Sequence, residues 1–252
     1  MHYYRLNHYL RKSSLLSDDQ FGFTPQNSAE DALVSFCDII KEGKRKNHVT
    51  FLISEDIKGA FDNAWGPGIL HLLKSFKVPK NIFCLIRSFL QCRSADLTLG
   101  NVTKNRVLEK GCPQGSVMGP FLWNLTMVDL LCNISKFQNC HKIAFSDNVL
   151  LIVQCKHFQD VCTLSQSILN NICDWSELYK LKFNPLKTKV MKIYKKSTVD
   201  QRINVKLGDV IIEEVRNIKY LGIIVDNKMQ WKEHISYVSS KSEKILLGLL
   251  RI

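Results

Sequence analysis

The sequence predicts an α+β fold, an antiparallel sheet backed by helices. Strands and helices alternate unevenly along the chain, the joints between strands carry hairpin signals rather than regular crossovers, and no internal repeat interrupts the pattern.

The elements follow in order. Leu6, Tyr9 and Leu10 recur at helical spacing, and after a break at Gly22 and Pro25 so do Ala29, Ala32, Leu33, Phe36 and Ile40, so residues 1–45 read as helices. Val49 to Ile57 is β-branched and apolar, a strand with Phe51, Ile53 and Ile57 on one face and Leu52, Ser54 and Asp56 on the other. Two helices, Ile69 to Phe76 and Ile82 to Leu90, meet at Pro79, and a hairpin from Ala95 to Val107 leads into the loop Gly111 to Gly115. Val117 to Ile134 reads as a long apolar helix, and Lys142 to Val153 as two strands around Ser146, Asp147 and Asn148. Next come a helix from His157 to Tyr179, a strand from Val190 to Tyr194, a hairpin from Ile203 to Ile212, a strand from Tyr220 to Val225 and an amphipathic helix from Lys232 to Arg251.

Composition narrows the class. At 252 residues with 45% hydrophobic and 23% charged residues, the chain is long enough to bury a core and too apolar for disorder. Its net charge of +12 favours a polyanionic partner, nucleic acid first. The nine cysteines stand singly, without CxxC pairs or His-spaced clusters, so they read as reduced and mostly buried in an intracellular compartment, not as zinc ligands. The N-terminus MHYYRLNHYL lacks an apolar core with a cleavage site, and the longest apolar runs are too short to span a bilayer, so no membrane role is expected.

Two carboxylates stand out. Asp56 lies near the end of a strand and Asp147 at a hairpin tip, and if those strands are neighbours the two can share a hard cation such as Mg2+, which takes one or two protein carboxylates plus substrate phosphates. The bland alternative is that Asp147 and Asn148 only turn the chain, both residues tolerating positive φ, and that Asp56 is a solvated strand end.

Six segments decide between these. QFGFTPQNSAEDAL (Gln20 to Leu33), DIKGAFDNAW (Asp56 to Trp65), GCPQGSVMGPFLWNL (Gly111 to Leu125), AFSDNVLLIV (Ala144 to Val153), LKFNPLKTKV (Leu181 to Val190) and IKYLGIIVDNKMQW (Ile218 to Trp231) occur in this order. Together they resemble the reverse transcriptase domain of non-LTR retrotransposons, especially the jockey-like elements of insects. The resemblance implies a polymerase palm, with residues 1–48 as partial fingers, 49–231 as palm with embedded fingers segments and 232–252 as the first helix of a mostly absent thumb. It implies an RNA-directed DNA polymerase that uses Mg2+, an RNA template, a DNA primer and deoxynucleotides, with no redox cofactor, working in the nucleus or cytoplasm as retroelement proteins do.

The same resemblance assigns roles. Asp56 and Asp147 match the metal-binding carboxylates, and the backbone carbonyl of Ile57 completes the first metal shell. Phe61 stands at the bulky position that excludes a 2′ hydroxyl. Gln114 and Gly115 lie in the bent loop that approaches the incoming nucleotide, and Lys187 at the position that neutralises the leaving pyrophosphate. Three departures stand against the pattern. Asn148 replaces the second Asp of the catalytic hairpin, Thr24 replaces a basic residue, and Glu55 replaces an apolar one. An Asn cannot offset cationic charge, and losing such an electrostatic group costs roughly 10²–10³ in rate, so impaired catalysis is expected. Glu55 falls on the apolar face of its strand and must pair, shift its pKa or distort the strand. The alternative to an impaired polymerase is a catalytically inactive retroelement remnant, decayed or fragmentary, that serves only as a scaffold for nucleic acid or protein.

Overall fold

The fold is known from a computed structural model, which describes residues 2–113, 115–193, 195 and 201–249. Its centre is a five-stranded sheet in the order β4-β5-β1-β6-β9, formed by Cys140–Phe145, Asn148–Cys155, Val49–Asp56, Lys189–Lys192 and Glu213–Glu214. Every neighbouring pair is antiparallel except β6 and β9, which run parallel. The expected α+β class is therefore the observed one.

Strand alternation sends successive side chains to opposite faces, and both faces of β1 are apolar, so the sheet needs cover on both sides. On one side Phe51, Ile53 and Ile57 join Leu151 and Val153 in the larger core. Against them lie α6 (Met118–Ile134) and α7 (Phe158–Leu178), with Leu6 and Leu10 of α1 (His2–Lys12) and residues of α4 (Gly66–Ser75) and α5 (Lys80–Leu90) behind. On the other side Leu52, Leu150, Ile152 and Met191 meet Ala32, Phe36 and Ile40 of α2 (Ala29–Arg45). Helix α6 is apolar around its whole circumference, as a helix buried on all sides must be. Helix α2 begins with a capping box in which Ser28 and Asp31 satisfy each other's backbone N–H groups.

Several expectations change in detail. A four-residue helix, α3 (Ala60–Asn63), follows β1 and was not legible as a separate element. The hairpin expected over Ala95 to Val107 spans β2 (Arg93–Leu99) and β3 (Val102–Leu108), and that over Ile203 to Ile212 shrinks to β7 (Lys206–Leu207) and β8 (Val210–Ile211). The single strand expected over Tyr220 to Val225 is a hairpin, β10 (Asn217–Tyr220) with β11 (Ile223–Asp226), because Leu221 and Gly222 take positive φ and turn the chain. The last helix is α8 (Lys232–Leu249), and the expected helix end at Arg251 and strand end at Tyr194 lie outside the described residues. The cysteines are not mostly buried: Cys112 and Cys155 are, Cys92 and Cys132 are exposed, and the other five lie between, as small thiols do when they edge a core instead of filling it. Among the described residues no helix is long and apolar enough to cross a membrane.

Candidate active site

Strand β1 carries Asp56 to its end, and the ladder with β5 puts Asp56 opposite Asn148. Asp147 is the residue before, in the two-residue loop that joins β4 to β5. The strands carrying the two carboxylates are therefore direct neighbours, and both carboxylates belong to one end of the sheet. The turn is not an Asp-Asn turn. Positive φ falls on Ser146, at 60°, and Asn148 is already paired in β5, so of the two residues Asp147 does turn the chain, together with Ser146, and Asn148 does not.

A second segment closes on Asp56 from the far side. The Asn184 N–H donates to the Asp56 carbonyl at 2.9 Å, the Lys58 N–H donates to the Lys182 carbonyl at 2.9 Å, and Ile57 bridges Phe183. This strap folds the 184–188 turn over the strand end and brings Lys187 Nζ to 3.3 Å from Asp56 Oδ2. Asp56 is thus turned outward to a cation and only partly shielded, its side chain 29% exposed. Two carboxylates on adjacent strands, one of them already receiving an ammonium, suit a hard divalent cation that also takes substrate phosphates. Among the described residues no group of three or more acidic, His or Cys side chains forms a ready-made metal cage.

Glu55 resolves its conflict without breaking the strand. It stays in register opposite Val149 and is 1% exposed. Burial raises its carboxyl to about 7, against the lowering effect of the Thr188 hydroxyl, which donates to Glu55 Oε2 at 3.1 Å. That hydroxyl also lies 3.0 Å from the Asn184 carbonyl. A protonated Glu55 can donate to Thr188 and leave the hydroxyl hydrogen for Asn184, a chain that ties β1 to the turn bearing Lys187. The strand is not distorted, since Glu55 keeps its place in the ladder, but the carboxyl is only half satisfied: Oε2 meets Thr188 while the buried Oε1 has no hydrogen-bond partner among the described residues.

Phe61 and the start of the loop at 111–112 meet through α3. The Cys112 N–H donates to the Phe61 carbonyl at 2.7 Å and the Gly111 N–H to the Ala64 carbonyl at 2.8 Å. Gly111 has φ +91°, and a Cβ there would stand 2.9 Å from the Asp62 carbonyl oxygen, so the chain at 111–112 lies on α3 only with glycine. Phe61 sits between Phe23 and Trp123, each ring centroid 5.8 Å away. Gly115, φ +81°, is exposed, and a Cβ there would meet nothing within 4 Å among the described residues. Gln114 lies outside the described residues.

Sequence reasoning missed what holds the hairpin tip from behind. Gln20 Nε2 donates to Asn124 Oδ1 at 3.0 Å and to the Ser146 carbonyl at 3.2 Å. Trp123 Nε1 donates to the same carbonyl at 3.0 Å, and Asn124 Nδ2 donates to the Gly22 carbonyl at 2.9 Å. Backbone bonds between Asp19, Phe21 and Ala144 lay the 19–22 segment along β4. A Cβ on Gly22 would fall 2.2 Å from the Ser146 nitrogen, so the segment packs directly on the tip. One signal was available. Asn124 is an amide in the first half of an apolar helix, and a buried amide must find partners.

Comparison with known proteins agrees with this geometry. The sequence model of the family described as "Reverse transcriptase (RNA-dependent DNA polymerase)" matches residues 3–225. The chain is 26% identical to the "RNA-directed DNA polymerase from mobile element jockey" of Drosophila melanogaster, over 87% of this chain and 24% of that protein. With the jockey polymerase of Drosophila funebris it shares 24% identity, over 86% of this chain and 24% of that protein. The chain thus spans about a quarter of the length of the curated relatives it matches. Among solved structures its fold is similar to telomerase from Candida albicans in complex with a telomeric RNA fragment, with a TM-score of 0.62, 14% identity, and 88% of this chain and 37% of that one covered. Telomerase from Candida tropicalis, truncated from its C-terminal domain, gives a TM-score of 0.58 at 15% identity, over 87% of this chain and 41% of that one. With most of its length matched to the family's model and its sheet arranged as above, this chain belongs to the reverse transcriptase (RNA-dependent DNA polymerase) family.

Proposed function

We propose that the chain is the catalytic palm of an RNA-directed DNA polymerase of a non-LTR mobile element, transferring a nucleotide from a deoxynucleoside triphosphate to a primer 3′ hydroxyl, at a rate lowered by Asn148. The observation that carries this reading is the register of β1 against β5, which brings Asp56 and Asp147 to one sheet end with Lys187 on Asp56.

Asp56 and Asp147, with the Ile57 carbonyl, are the groups that would hold Mg2+. When bound, Mg2+ supplies Lewis acidity at the primer hydroxyl and at the leaving pyrophosphate. The chain's own part is positioning. Phe61, wedged between Phe23 and Trp123, stands as the wall against a 2′ hydroxyl. Gly115 presents a backbone that a nucleotide can approach closely. Lys187, within reach of Asp56, gives a proton or a positive charge to the departing pyrophosphate. Asn148 offers a neutral oxygen where a carboxylate would balance charge.

Primer extension on an RNA template tests this, comparing the wild type with Asp56→Ala and Asn148→Asp. The wild type extends slowly, Asp56→Ala not at all, and Asn148→Asp faster by roughly 10²-fold. Equal extension by wild type and Asp56→Ala would sink the assignment. Extension by none of the three would favour the scaffold reading.

A further inference from the structure

The end of the sheet opposite Asp56 carries its own concentration of positive charge. The same register that pairs Asp56 with Asn148 pairs Val49 with Cys155 at the other end, about 23 Å away at roughly 3.3 Å per residue. There the turn after α6, the end of β5 and the start of α7 enclose an open groove of about 830 Å3 whose walls include His48, Lys136, Phe137, Lys156 and His157. His48 reports how closely the cations crowd: burial first, then the charges of Lys46, Lys156 and Lys195, push its imidazole below the ordinary value. Lys195 reaches in to donate to the Asn47 carbonyl. The opposing charge is thin. Asp160 lies in the wall, and Glu42 is already shared by Arg45 and Lys46.

Two lysines in the wall, Lys136 and Lys156, with Lys195 and the Glu42-paired Lys46 close enough to act on His48, raise a local positive potential that selects a polyanion. The exposed His157 ring and the half-buried Phe137 ring lie among them, and rings interleaved with lysines are what unstacked bases and their phosphates bind. We propose that this groove is a second nucleic-acid site, separate from the catalytic end, that holds a single-stranded stretch of RNA, the lysines taking phosphates and His157 a base. At this distance it tethers RNA without aligning it for reaction, and it does not depend on catalysis at Asp56.

Fluorescence anisotropy with a labelled polyuridylate oligonucleotide, an RNA duplex of the same length and a polyglutamate of matched charge tests the proposal. A Lys136→Ala, Lys156→Ala, Lys195→Ala variant, with a thermal midpoint near the wild type's, weakens polyuridylate binding by more than about tenfold and lowers the slope of log Kobs against log salt by about 2. His157→Ala, which removes no side-chain cap from α7, weakens polyuridylate severalfold and leaves the slope alone. Asp56→Ala abolishes extension but binds the oligonucleotide as the wild type does, so failure of the polymerase reading and failure of this one are distinguishable. If the triple variant does not fold, the charge reversal Lys156→Glu on an exposed residue gives the same reading. Wild-type affinity and slope in the lysine variants would overturn the proposal, and so would an equal loss for polyuridylate, duplex and polyglutamate, the behaviour of a patch for any acidic partner.

Discussion

On the proposed function position 148 sets the rate, while position 55 shapes the pH response, and the two residues differ because one is exposed and the other is not. Asn148 faces solvent at the sheet end, so restoring its charge by Asn148→Asp costs little desolvation and acts on bound cations alone. Glu55 is sealed, with its carboxyl held at about 7 by burial and opposed by Thr188. The folded protein keeps that proton up to about 7 while the unfolded chain releases it near the ordinary 4.5. Between those values the native state binds the extra proton, so the stability due to this group is whole below pH 4.5 and declines as pH rises to 7, by a total on the order of 3 kcal/mol. His48 and His141, lowered chiefly by burial, contribute the opposite slope, so the difference between wild type and Glu55→Gln isolates the carboxyl. Urea midpoints taken from pH 4.5 to 8 are expected to fall for the wild type relative to Glu55→Gln across that window and to run parallel above it. Parallel curves throughout would show that Glu55 is not the group responsible.

At the scale of elements, the hairpin tip is held by a segment far away in sequence. Gly22 leaves no room for a side chain against the Ser146 nitrogen, and Gln20 and Trp123 share the Ser146 carbonyl. Gly22→Ala is therefore expected to push the tip away, costing about 1–3 kcal/mol in stability, as overpacking does, and lowering extension more than primer-template affinity. Denaturant midpoints and single-turnover kinetics check it, and an unchanged rate would show that the clamp does not set the tip's position. The elements themselves were legible where one physical signal dominated. Period-two alternation placed Phe51, Ile53 and Ile57 on one face of β1, and continuous apolar character placed α6. The β10–β11 hairpin was not legible, because Leu221 and Gly222 turn the chain within a run of apolar residues that reads as one strand. The clamp on Ser146 was hidden for another reason: Gln20 and Asn124 are 104 residues apart, and only tertiary packing joins them. Of the candidate site, the nearness of Asp56 and Asp147 at one sheet end was conditional in the sequence on their strands being neighbours, which they are, while Thr188's bond to Glu55 depends on how the 184–188 turn folds back.

The whole molecule places the sheet between two cores, one under α2 and one under α6 and α7, with the Asp56 and Asp147 carboxylates at one end of the sheet and the lysine-lined groove at the other. The net charge of +12 predicts binding to an RNA–DNA duplex that weakens steeply with salt, log Kobs falling linearly with log salt. A flat response in a filter-binding series would contradict it. The central claim is narrower: Asp56 and Asp147 act as one cation site, which Asn148 leaves short of charge. Electron paramagnetic resonance with Mn2+, read in the presence of primer-template and a deoxynucleoside triphosphate blocked at its reacting phosphate, measures that site without requiring turnover. The account predicts bound Mn2+ in the wild type, tighter binding in Asn148→Asp and loss of the protein-dependent signal in both Asp56→Ala and Asp147→Ala. Retention of that signal in either alanine variant, or no tightening in Asn148→Asp, would contradict it.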